Sequence, residues 1–110
     1  MFSRYLIGAV FICMGSMAHA DEMTGDRSIL GYGCHKSDGT CFVFLDGLAF
    51  TGGPECTGTQ LRWDAKNDAN GKSWLAIIMM AAANRKKVSF YVSGCQSPNH
   101  PTFLYGTVEP

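Results

Sequence analysis

The sequence predicts a small, mainly β domain with one helix, its elements in the order β-β-β-α-β-β. Three observations lead there. Residues 87–94 alternate Val88, Phe90 and Val92 against Ser89, Tyr91 and Ser93, the two-residue period of a half-buried strand. Residues 74–83 run without a charge and are followed by Arg85, Lys86 and Lys87, as a short apolar helix ending in a basic corner would be. Glycine, proline and Asp-Gly signals punctuate the remainder closely enough to leave room only for short strands.

Taken in order, residues 21–27 are polar and read as a tail. Residues 28–36 form a first strand, weakened by Gly31 and Gly33. Asp38-Gly39 is the signal of a two-residue hairpin turn, which would set Cys34 opposite Val43. Residues 41–50 make the strongest strand, apolar on both faces from Phe42 to Leu45, and residues 51–59 are a loop by composition. Residues 60–65 alternate Leu61, Trp63 and Ala65 against Arg62 and Asp64, a half-buried third strand. Asn70 or Ser73 is placed to cap the helix. A loop over 96–101 joins the fourth strand to a last one over 102–108. Five strands with a helix between the third and fourth are the order of the OB-fold barrel. An open α+β sandwich is the alternative arrangement of the same elements.

The helix is apolar nearly all round. Trp74, Leu75, Ile78 and Met79 cover one side, and Ile77 and Met80 lie towards the other. Such a helix needs burial on more than one side. Ten residues are too few to span a bilayer, so the second surface is expected from another copy of the chain. Trp74, Ile77 and Met80 are the candidate interface residues. Trp74 and Met80 stand about 120° apart on the helix, which leaves Met80 to meet a neighbour if Trp74 packs on its own domain.

Residues 1–20 read as a signal peptide. Arg4 supplies the positive n-region, Leu6 to Met17 the apolar stretch, and Ala18-His19-Ala20 the cleavage signal. A retained anchor is disfavoured because no stop-transfer pattern follows. Cleavage after Ala20 leaves one domain over residues 21–110, secreted or periplasmic. Losing Arg4 leaves eight basic against nine acidic residues, a net charge of −1, which gives nucleic acid no electrostatic footprint. Cys34, Cys41, Cys56 and Cys95 remain, and four cysteines in a short exported chain favour two disulfides, whose connectivity spacing alone leaves open. Without a C-x-x-C pair, and with only His35 and His100 to add, they do not form a zinc site.

Catalytic signals are absent. Gly71-Lys72-Ser73 echoes the end of a P-loop, but Lys66 stands where the earlier glycine is required. No serine lies in a G-x-S-x-G turn. His35 and His100 sit in turn-like segments and read as exposed polar residues, while Asp64 and Asp68 flank a turn as solvated or capping carboxylates. We therefore expect neither an enzyme nor a metal or other cofactor. The aromatic residues Tyr32, Trp63, Tyr91, Phe103 and Tyr105 carry more, since a tyrosine offers a sugar both a stacking face and a hydroxyl. Trp63 and Phe103 read as core. Strand alternation puts Tyr91 outward with Ser89 and Ser93 beside it, and Tyr32 could add a second aromatic wall.

Glu22-Met23-Thr24-Gly25-Asp26 resembles the E-x-T-G-D opening of the B subunits of subtilase cytotoxin and its typhoid-toxin relatives, the pertussis-like AB5 toxins. Cys41-Phe42-Val43 resembles the family's cysteine-bearing second strand, with Cys56 where its disulfide partner is expected. The helix followed by Lys87-Val88-Ser89-Phe90-Tyr91 is similar to the family's helix and next strand. The resemblance implies an OB-fold subunit of a homopentamer whose helices line a central pore. It further implies binding of host-cell glycans, possibly sialylated, and a possible toxin A-type subunit. Where the family has a sugar-contacting serine on the first strand, this chain has Tyr32 and Gly33; Tyr91 is nearest to the family's sugar-contacting tyrosine. The family layout implies a Cys41–Cys56 disulfide, which leaves Cys34 to pair with Cys95. The leading expectation is an exported carbohydrate-binding oligomer; the alternative is an OB-fold module that binds a protein partner as inhibitor or adaptor, without catalysis.

Overall fold

The computed structural model describes residues 22–96 and 99–110. The expected signal peptide and its cleavage site lie outside the described residues. The chain is mainly β with one helix: β1 (Glu22–Met23), β2 (Ile29–Cys34), β3 (Thr40–Leu45), β4 (Phe50–Gly53), β5 (Cys56–Gly58), β6 (Gln60–Asp64), α1 (Gly71–Ala83), β7 (Val88–Gln96) and β8 (His100–Val108). The strands form antiparallel sheets ordered β1-β7-β8 and β2-β3-β6 and a β4-β5 hairpin. These sheets are open and do not form one closed ladder, a departure from the expected five-stranded barrel. Residues 51–59, read as a loop, build the extra hairpin because Thr51 and Thr57 pair across it.

The core lies between the two larger sheets and α1. Val43, Leu61, Trp63, Phe90, Val92 and Ile78 are buried there, with Trp74, Leu75 and Phe103 packed against them. Alternation explains the strand contributions: Cys41, Val43 and Leu45 point inward from β3, as do Leu61 and Trp63 from β6.

Both expected disulfide pairings are overturned. The bridges are Cys34–Cys41 and Cys56–Cys95. The first follows from the hairpin register, in which Cys34 faces Cys41 rather than Val43. Asp38 does not occupy a two-residue turn. Its Oδ1 accepts hydrogen bonds from the Thr40 N–H at 3.0 Å and the Thr40 hydroxyl at 2.7 Å, and the ladder resumes with the His35 N–H on the Thr40 carbonyl. The loop is therefore two residues longer than Asp-Gly alone suggests, and the register slides by two. The second bridge forms because the β4-β5 hairpin packs on β7. A Cβ on Gly52 would stand 2.0 Å from the Gly94 carbonyl oxygen, so only glycine lets the hairpin bring Cys56 to Cys95. Two disulfides accord with an oxidising compartment. No described helix is long and apolar enough to cross a membrane.

The segment expected to be a tail is a clasp. Thr24 is bonded twice to Phe90, its N–H donating to the Phe90 carbonyl at 2.8 Å and its hydroxyl oxygen accepting from the Phe90 N–H at 3.0 Å. Arg27 exchanges backbone hydrogen bonds with Val88, and its guanidinium donates to the carbonyls of Thr24, Asp46 and Leu48. Glu22 accepts from the Thr51 N–H. Thus Glu22, Thr24 and Arg27 tie β7 to the β3–β4 connection and the hairpin.

Helix α1 starts at Gly71, where any Cβ would lie 2.7 Å from both the Ala65 Cα and the Asp64 carbonyl oxygen. Asn70 is the N-cap through its left-handed backbone, but its side chain makes no capping bond, and Ser73 lies inside the helix. The basic residues fall just beyond the last turn rather than in it. There the Arg85 and Lys86 N–H groups reach back to the Ala82 and Ala81 carbonyls, a Schellman closure with Arg85 at the left-handed position glycine usually takes.

Candidate functional site

Strand β7 is the middle of its sheet, with residues 22–27 along one edge and β8 along the other. Phe90 and Val92 face the core, so Tyr91 faces outward, opposite Tyr105 of β8. The two rings stack with centroids 5.2 Å apart and 6° between their planes. Tyr91 is half-buried and Tyr105 is 51% exposed, so the pair forms an aromatic step rising from the sheet.

Simple alternation on β8 would put Phe103 and Tyr105 on the same face. A β-bulge separates them. Val92 faces Phe103 and Tyr91 faces Tyr105, so Leu104 is an extra residue in β8. Phe103 is thereby kept inward, where it packs 4.7 Å from Phe90, and Tyr105 is turned out. Tyr105 stood among the sequence's aromatic candidates, but only the bulge makes it Tyr91's partner.

The other expected sugar residues are distributed differently. Ser89 is only 7% exposed, so it offers no open hydroxyl beside Tyr91. Ser93 lies with Gly94 in a second irregularity, where the two residues fall between the Val92–Phe103 and Cys95–Pro101 pairs. Tyr32 is not a second wall. From the Arg27–Val88 bridge, Tyr91 lies three residues along β7 in one direction and Tyr32 five residues along the chain in the other. Tyr32 is thus on β2 of the other large sheet, 41% exposed, and not on the β7–β8 surface.

Helix α1 divides its apolar residues differently from the expected pattern in two places. Met79, expected on the Trp74 side, faces out with Met80, and Trp74, a candidate interface residue, packs inward. Trp74 packs on Phe90 and Phe103, 5.7 and 5.2 Å away, while Ile78 and Ala81 are fully buried. Met79 and Met80 stay 47% and 48% exposed, with Ile77 between these environments. Trp74 therefore belongs to its own domain's core, and Met80 to the outward side.

The Asp38 and Asp64 carboxylates hold turns. Hydrogen bonds from the Asn67 side chain and backbone hold the Asp64 carboxyl below its ordinary range, and bonds from Thr40 do the same for Asp38. Burial pushes His100 down, with the positive charges of Arg62 and His35 adding to it. His35 is exposed and its ring lies 5.5 Å from Phe42. Among the described residues no group of three His, Cys, Asp or Glu side chains could hold a metal ion. No protein-family model matches the chain, and no match is found among curated proteins or solved structures.

Proposed function

We propose that the mature chain is one subunit of an exported homo-oligomeric ring, five-fold in the simplest form, that binds host-cell glycans through Tyr91 and Tyr105. The stacked tyrosine pair carries this reading. It places two hydroxyls and an aromatic face on an outward sheet surface, the combination that sugar recognition requires. The open side of α1 supports the assembly, since Met79 and Met80 are the apolar contacts a neighbouring copy would cover.

An OB-type barrel is part of the proposal. Its support is the order β2, β3, β6, α1, β7, β8, the Arg27–Val88 bridge joining the lead-in of β2 to β7, and the proximity of β6 to β8. The likeness of the Glu22–Asp26 opening to AB5 toxin B subunits points the same way and would give the ring a toxin A-type partner.

One site of this kind would bind at around millimolar affinity, with avidity supplied by repetition around the ring. A glycan array probed with the oxidised mature protein tests the reading. Binding is expected, and Tyr91→Ala should abolish it without changing the oligomer's mass. Binding undiminished in Tyr91→Ala refutes the assigned site. An array with no hits would instead favour the protein-binding module, for which Leu48 and Leu104, 84% and 64% exposed, are ready contacts.

A further inference from the structure

We infer that a cleft on the opposite face of β7 and β8 is a second binding site, selective for a neutral pyranose ring. It lies between the start of α1 and strands β6 and β8 and holds about 350 Å³. That is the lower end of ligand-pocket sizes, suited to one sugar ring rather than a chain of them.

Its walls are aromatic. Trp63 meets Phe103 edge-on at 5.6 Å, and Trp74 meets Phe103 at 5.2 Å with 84° between planes. The Trp63 ring is locked, because its Nε1–H donates to the Gly71 carbonyl at 2.8 Å. Trp63 is buried, whereas Trp74 and Phe103 are only partly buried and supply the reachable apolar surface. Asp68, Gln96 and Thr102 add polar groups to the same lining. The C–H face of a pyranose stacks on aromatic rings, while its hydroxyls need acceptors and donors close by, and this lining provides both.

Charge selects among sugars. Asp68 is the one charged residue among the described lining residues. Its Oδ2 accepts from the Asp64 N–H at 3.1 Å, and Oδ1 has no partner among the described hydrogen bonds. A carboxylate accepts strongly from a sugar hydroxyl and repels a carboxylate or sulfate. A neutral hexose fits; a sialic acid does not. The cleft thus differs in chemistry and in location from the tyrosine pair, and it goes beyond the reading given for that pair.

The chain contains two tryptophans, and both line this cleft, so intrinsic tryptophan fluorescence reports on it. Titration of the oxidised mature protein with galactose, glucose, mannose and N-acetylglucosamine should give a saturable emission change with at least one of them. Free sialic acid should give none at the same concentration. Asp68→Asn, an exposed substitution whose folding near-ultraviolet circular dichroism checks, should weaken the response about ten-fold or more. Silence towards all four sugars overturns the inference whatever the array shows, because that array tests the tyrosines. A response to sialic acid, or one unaffected by Asp68→Asn, overturns it equally.

Discussion

Two aromatic groups lie on opposite faces of β7 and β8, and they are built in opposite ways. Inside, Trp63, Trp74, Phe90 and Phe103 meet at steep angles, and the Trp63 indole is bonded to the start of α1. Outside, Tyr91 and Tyr105 lie parallel across β7 and β8, with Tyr105 51% exposed. The first group holds two sheets and a helix together; the second adds little to the core. The outer pair is the one to which the proposed function assigns a ligand. One inserted residue, Leu104, separates the two roles.

Removing an inner ring should have the largest effect. Trp63→Ala should lose about 3–5 kcal/mol of stability, read by denaturant unfolding, because it opens a cavity under the helix and strands the Gly71 carbonyl. Tyr105→Ala should cost only about 0.5–1.5 kcal/mol, the scale of a stacked aromatic pair, while removing glycan-array binding. Equal losses from the two substitutions would erase the distinction between the faces. Deleting Leu104 should be tolerated. The next residue is already Tyr91's partner, so a regular ladder would keep Phe103 inward and Tyr105 outward, with array binding retained.

The smallest effect concerns pH. The fold disfavours charged His100, so its neutral form contributes nothing adverse above the ordinary value of 6.5. Below that, the unfolded chain takes up the proton first, and stability falls until the depressed folded-state value is passed. Asp38 and Asp64 act later in the descent. Their bonds stabilise the fold above the ordinary carboxylate value of 3.8 and are lost as pH falls through their lowered values. His100→Gln should remove the first, milder decline near pH 6 in thermal melts and leave the second. A decline unchanged by that substitution would place its origin elsewhere.

Periodicity made the strands and much of the helix legible, because Val88, Phe90 and Val92 on one strand and Ile78 on the helix bury what their spacing predicts. Met79, placed on the same side as Ile78, nevertheless stays exposed. What sequence could not supply were side-chain bonds that override local patterns. Thr24 looks like an ordinary polar residue until Phe90 is beside it, so the clasp read as a tail. Asp38 bonding Thr40 lengthened a turn that Asp-Gly alone makes shorter, and that slip sets Cys34 opposite Cys41. Tyr91 was legible as outward from alternation; Tyr105 was not its visible partner, because a bulge leaves no mark in hydrophobic spacing.

The proposed assembly rests on the side of α1 that the core leaves open. Met80→Glu would place an unpaired charge at an apolar interface and should release monomers with an unchanged circular dichroism spectrum. The most direct measurement is the light-scattering mass of the oxidised mature protein at micromolar concentration, alone and as Met80→Glu. The account predicts a mass several-fold that of one chain, five-fold for the simplest ring, falling to one chain in the variant. A wild-type mass of a single chain would contradict it.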